Sequence, residues 1–343
     1  MSAGTDKIIE DYTNTPEFPK LAQRISARRI SQHFAPRSLP SSGQTKKVLP
    51  YRLAIGARGK LLGILYQDGY IEVWNLKNDS QVAHMQGQAP EIVNSLSPLE
   101  SSLSISPDGT WLATGIAPVI ALWDIRSGKL AHRIRTSFDK ELEFTPDSHL
   151  LVIAADAAIF FLEMSSFHLY ARNLSAGSKF LGFGSSVDIG FRKRDGAVVI
   201  GAEDLFVVLP KHDEVQIVHC GCGGIGTVSD DGERVVFTGG LVSEWDTTEE
   251  KEVSNWRPRY GSASAAYIHA KEIVVTGSST SSLEHPSPVL EFFKHSTRQR
   301  VGEVSLSDNV GMTDGITFDE PSGLLIASYQ DTRKIIVAYD VVK

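Results

Sequence analysis

Leu103-Ser104-Ile105-Ser106-Pro107-Asp108-Gly109, then Trp111-Leu112-Ala113-Thr114-Gly115, then Ile120-Ala121-Leu122-Trp123-Asp124-Ile125-Arg126-Ser127-Gly128-Lys129 is the stretch that decides the fold. Ser-Pro-Asp-Gly and Arg-Ser-Gly-Lys are turns, because Pro presets φ and Gly accepts positive φ at no steric cost. The short runs between them, rich in aliphatic residues, read as strands, and residues 130–135 read as another. Four short antiparallel strands joined by tight turns therefore make one unit.

A second copy lies directly over it: Leu61 to Leu76 runs as strand, turn (Gln67-Asp68-Gly69) and a strand closing on Trp74-Asn75. Followed through the chain, the position of Trp74 returns as Trp123, Leu162, Leu209, Trp245, Phe293 and Tyr339, at intervals of about 36 to 49 residues. An acid follows in Asp124, Glu163, Asp246 and Asp340. The earlier turn returns as Thr145-Pro146-Asp147-Ser148, Arg194-Asp195-Gly196, Ser229-Asp230-Asp231-Gly232 and Glu320-Pro321-Ser322-Gly323. A repeat of this length in all-strand units predicts blades arranged around an axis, so the length of the chain does not require two domains.

Leu122-Trp123-Asp124-Ile125, Ser243-Glu244-Trp245-Asp246 and the hairpin Gln67-Asp68-Gly69-Tyr70-Ile71-Glu72-Val73-Trp74-Asn75 resemble the WD-repeat (WD40) family. The resemblance covers residues 48–343, strongest in units one, two and five. It implies an all-β, seven-bladed β-propeller of four-stranded antiparallel blades that binds protein partners. The chain departs from the family in having no Gly-His dipeptide, so the buried His, Asp and Trp network familiar there is expected to be absent. Stability is then expected from strand packing between blades.

The chain stops one strand short of a complete seventh unit, and an unpaired strand edge invites aggregation. Such rings are usually filled by an N-terminal strand, and Arg29-Ile30-Ser31-Gln32-His33-Phe34 is the expected one. Residues 35–44 are then a connector to a first inner strand at 48–55, and residues 1–19 a flexible tail ahead of a single propeller spanning 20–343. Arg28-Arg29-Ile30-Ser31 has a spacing that basophilic kinases accept; a serine tied into that closing strand would be poorly available, and chance accounts for the match.

The net charge of −7 is unevenly spread. Between Phe18 and Gln67 there are Lys and Arg residues but no Asp or Glu, which leaves the rest of the chain more acidic than the whole. An acidic body argues against nucleic acid as the main ligand, since that ligand needs a broad basic face. No run approaches the roughly 20 apolar residues of a membrane span, and the start shows no secretory signal. Cys220 and Cys222 are too close for an unstrained bridge, which fits reduced thiols and a cytoplasmic or nuclear place. No cofactor is expected, and the ring is read as monomeric within a larger complex.

Binding on this architecture normally uses the face where blade-joining loops and the loops between second and third strands emerge. There the sequence places Trp256, Arg257, Arg259 and Tyr260 as the centre of a protein-binding surface, ringed by Phe180, Tyr70, Tyr329 and Arg333. Trp, Tyr and Arg combine contact area with a polar handle. Packing against a neighbouring blade is an equal reading for each aromatic taken singly. The hydrophilic insertion at residues 277–288 is a second surface.

Two other readings stand beside the scaffold. Glu141, Glu143, Asp188 and Asp314 fall on innermost strands; Glu141, Asp188 and Asp314 would be the metal ligands of a propeller enzyme or metal-dependent hydrolase at the axial channel. An inhibitor capping another enzyme would have the same sequence features as a scaffold. Gly221-Cys222-Gly223-Gly224-Ile225-Gly226 matches a dinucleotide-binding loop, but residues 227–239 read as strand, turn, strand, where that chemistry needs a helix N-terminus. His212, His219, Cys220 and Cys222 fit no familiar zinc spacing, and the cysteines are read as buried thiols.

Overall fold

The computed structural model describes residues 25–28, 37–41, 44–48, 50–66, 68–78, 80–86, 101–116, 119–135, 140–155, 158–173, 187–202, 204–209, 215–218, 225–239, 241–262, 264–268, 272–278, 289–305, 313–319, 324–329 and 335–341. Their strands form seven four-stranded antiparallel sheets and one two-stranded hairpin. The innermost strands of blades 1 to 7 are Pro50–Gly56, Ser101–Ile105, Lys140–Phe144, Asp188–Phe191, Ile225–Val228, Ser264–Ile268 and Thr313–Asp319. Each neighbours the next, and the seventh returns to the first, so the sheets close a ring around an axis.

The repeated turns explain why each blade begins as it does. In Ser106-Pro107-Asp108-Gly109 the Ser106 amide donates to the Trp111 carbonyl and Gly109 donates back to Ser106, while the Asp108 carboxylate accepts from the Ser106 hydroxyl and the Thr110 amide. Asp147 and Asp231 repeat this arrangement in blades 3 and 5. The fourth turn residue needs a left-handed backbone, supplied by Gly109 and Gly232 and in blade 3 by Ser148 at φ 62°; in blade 4 the fifth residue, Gly196, takes it and donates to the Arg192 carbonyl. The acid after the Trp position closes the other turn: Asp124 accepts from the Ser127 amide, and Asp246 from Thr248 and Glu249. Those bonds hold both carboxyls below the ordinary range.

Packing lies between blades. Leu65, Ile71 and Val73 of blade 1 meet Leu103, Leu112 and Trp123 of blade 2, and comparable apolar seams continue around the ring to blades 6 and 7. Trp123, Leu162 and Trp245 all face the preceding blade, and in blades 1, 2, 5 and 6 the third-to-fourth strand pairing carries a register shift at this position. In blade 2 the Trp123 indole donates to the Thr114 hydroxyl at 3.4 Å.

Three sequence expectations are corrected. The strand that completes blade 7 is Ile25–Arg28, pairing Ile25 with Val341 and Arg28 with Ala338, not residues 29–34. Outermost strands of this ring are largely exposed, as in Lys129–Arg135 and Lys251–Trp256, so the apolar Ile30 and Phe34 were no guide to which residues take that position. The connector contains a hairpin, Arg37–Ser41 with Gln44–Val48, and the inner strand starts at Pro50. In blade 4 the Trp position is Val208, paired with Val198, because a continuous apolar run offered no alternation to set the register. Residues 1–19, 29–34 and with them Ser31 lie outside the described residues, as do Cys220, Cys222, His212 and His219.

Candidate functional site

Lys251–Trp256 is the outermost strand of blade 5, and Trp256 pairs with Val242 of the third strand. Here the chain must cross to Ser264 at the centre of blade 6, and residues 257–262 make that crossing. Trp256 is turned down into the seam, half-buried against Val236, Val242, Ala265, Tyr267 and Val274, with its ring 5.9 Å from that of Phe293. It is the root of the loop and is not presented to solvent as a sequence hot spot would be. Pro258 is buried, whereas Arg257 and Arg259 are exposed.

Glu291, on the third strand of blade 6, fixes the crossing from below. Its buried carboxylate accepts from the Tyr260 amide at 3.3 Å and faces Arg300 at 3.4 Å, and Arg300 also bridges to Glu303 at 2.9 Å. Burial pushes the Glu291 carboxyl up, while the Tyr260 amide and the Arg300 guanidinium hold it back. Desolvation, and then the Glu303 charge, push the Tyr260 hydroxyl up. The Arg259 guanidinium lies 5.5 Å from the centre of the Tyr260 ring. The arrangement presents two guanidiniums on a backbone tied down at its midpoint.

Leu241 was not anticipated. It ends the turn between the second and third strands of blade 5, where the Gly239 amide donates to its carbonyl, and it is 54% exposed. Since Val242 stands opposite Trp256, Leu241 emerges level with Arg257. The only signal in the sequence was its place after Gly239-Gly240, where a turn leaves no partner for an apolar side chain.

The other expected residues are spread around the ring. Tyr70 begins the third strand of blade 1 and is half-buried, 6.2 Å from the Tyr66 ring and stacked on His84 at 6.1 Å. Beneath it Tyr66 and Trp74 both donate to the Glu72 carboxylate at 2.9 Å. Blade 7 stands between blade 1 and the crossing at 257–262, so Tyr70 does not join that group. Tyr329 ends the second strand of blade 7, opposite Ile335. Phe180, Arg333 and residues 279–288 lie outside the described residues.

The axial carboxyls are half-buried on the inner strands of blades 3 and 4. Desolvation pushes Glu141 up to about 8, against the pull of Arg52 and with the help of the Asp188 charge. Glu143 is raised well above its ordinary value by burial and by Asp188, although Ser104 donates to it at 3.1 Å. Asp188 is raised to about 6 by desolvation. Its oxygens accept from the Ile189 amide and, across the seam to blade 5, from the Val228 amide at 2.8 Å. Asp314 stands in the bulge between Thr313 and Gly315. Among the described residues no group of three His, Cys, Asp or Glu converges closely enough to hold a metal ion, and the Asp314 side chain lies outside them.

The glycine-rich motif ends in strand Ile225–Val228, not a helix, which removes the dinucleotide reading. Gly226 has a packing duty: a Cβ there would stand 2.7 Å from the Gly201 backbone of blade 4.

No family model matches the chain. A stretch of 114 residues, 33% of the chain, is 26% identical to Pre-mRNA-processing factor 19 homolog 2 of Arabidopsis thaliana, and spans only 20% of that protein. Among solved structures, the β-propeller domain of Myceliophteria thermophila Cps50 (Swd1) superposes with a TM-score of 0.64 over 90% of this chain and 99% of that one, at 13% identity. No helix among the described residues is long and apolar enough to cross a membrane.

Proposed function

We propose, starting from a chain that is a degenerate WD-repeat β-propeller, that it is a protein-interaction scaffold or adaptor subunit and not an enzyme. Its docking surface is the face carrying the blade-joining loops, centred on residues 257–262. The observation that carries this reading is the pair Arg257 and Arg259, exposed on a crossing whose root is Trp256 and whose midpoint is tied to the buried Glu291. A loop fixed in this way loses little conformational freedom on binding, so contact energy appears as affinity. Tyr260 supplies the amphipathic area that interface centres favour. The partner is a protein, not nucleic acid, met in the cytoplasm or nucleus by a ring that is itself monomeric.

Affinity capture tests it. Tagged full-length protein and an Arg257→Ala/Arg259→Ala variant, both shown to melt at the same temperature, are taken through an extract of the source cells. A stoichiometric partner held by the first and lost from the second is the expected result. Equal retention by both removes the assigned face, and no stoichiometric partner with either removes the scaffold reading.

A further inference from the structure

We infer that the rim between blades 5 and 6 takes an acidic segment of a partner protein, its Asp or Glu side chains pairing with Arg257 and Arg259 and an apolar side chain resting on Leu241. This rests on the docking face proposed above and specifies the chemistry of what docks there.

Leu241 is the most exposed large apolar side chain among the described residues. The others, Val82, Leu130, Leu169, Tyr170 and Val253, sit on outermost strands around the circumference. Leu241 alone of this set is in a turn on the loop face, and it and Arg257 each lie one residue beyond the terminal pair of the two strands, Val242 and Trp256. An apolar contact and a cationic contact are thus offered together.

Neither Arg257 nor Arg259 has a carboxylate within ion-pair distance among the described residues. The arginines at the neighbouring seams do: Arg192 with Asp195, Arg234 with Glu244 and Asp246, and Arg300 with Glu291 and Glu303. In a chain of net charge −7, two unmatched guanidiniums on one short crossing form a local exception. The Arg259 guanidinium lies over the Tyr260 ring, 5.5 Å from its centroid, and an arginine on an aromatic face can still offer its N–H groups to a carboxylate. Glu291 and Glu303 are both engaged with Arg300 and not with either arginine of the crossing. Single charges spaced along a peptide can pair with the two guanidiniums one by one, each in a bidentate contact.

The test is fluorescence anisotropy with labelled nonapeptides and the full-length protein. One peptide carries Glu and Asp on both sides of a central Leu, a second has Gln and Asn in their place, and a third is neutral except for one phosphoserine. The acidic peptide is expected to bind saturably. Arg257→Glu/Arg259→Glu and Leu241→Asp, each checked by thermal melting, are expected to weaken it tenfold or more, and Arg257→Lys/Arg259→Lys to retain part of the affinity. No saturable binding of the acidic peptide, equal binding of the amide peptide, tighter binding of the phosphopeptide, or indifference to the charge reversals would each overturn the inference. The docking face is judged separately: a captured partner that Arg257→Ala/Arg259→Ala loses, but whose crosslinked segment carries no acidic run, keeps the face and removes the acidic segment alone.

Discussion

Replacing Glu141 by Gln changes how stability depends on pH, and the sign is set by the axial geometry. A carboxyl raised to about 8 from its ordinary 4.5 keeps its proton in the folded protein over a range where the unfolded chain has released it. Folding then takes up a proton, so stability falls as pH rises from 4.5 to 8, with no loss below that window and the full loss above it. At 1.36 kcal/mol per tenfold change, the stability lost through this group is about 1.5 kcal/mol at pH 5.5, where the fold still holds its proton, and about 4.5 kcal/mol at pH 8.5. The side chain keeps partial contact with the channel, and water there lowers both figures, so a difference of about 1 to 3 kcal/mol between the two pH values is expected. Asp188, raised to about 6 from 3.8, adds loss of the same sign in its own lower window. Glutamine keeps the shape and an acceptor for the Leu142 amide but has no proton to lose. Urea denaturation at pH 5.5 and 8.5 measures both proteins. The wild type should lose stability between the two, and Glu141→Gln should lose clearly less and be the more stable protein at pH 8.5. Parallel curves for the two proteins would refute the argument, because they would mean that Glu141 ionises in the channel as freely as in water.

Arg192, buried and donating to Asp195 and to the Thr247 carbonyl of the next blade, should cost about 2 to 4 kcal/mol when replaced by Met, seen as an earlier urea midpoint. Gly226→Ala should cost about 1 to 3 kcal/mol by forcing the inner part of blades 4 and 5 apart, read by calorimetry, and Gly226→Val should cost more. Glu250 holds a left-handed backbone at φ 52° in the turn where blade 2 has Gly128, so Glu250→Gly should be neutral or stabilising by up to about 1 kcal/mol in thermal melting. Leu241→Asp should leave the melting temperature unchanged, since a side chain 54% exposed contributes little to any seam.

What the sequence determined by itself is the part of the fold that repeats. Pro, Asp and Gly at fixed offsets decide a turn through local sterics and one or two hydrogen bonds, and five such signals in series leave few architectures that bury the strands between them. Asp108 and Asp124 could be read in this way because their roles are set within a few residues. The tertiary structure decided whatever depends on a neighbouring blade. Ile25–Arg28 closes the ring because its backbone meets Ala338 to Val341, and an exposed outermost strand carries no apolar alternation that would identify it. Trp256 looked like a presented hot spot and is a wedge in the seam, while Leu241, inconspicuous in the sequence, is left outside by the same pairing. Whether a side chain at a loop root is buried or offered to a partner depends on the distance and angle between two sheets. That geometry is set by the closed ring as a whole, and no short window of residues contains it.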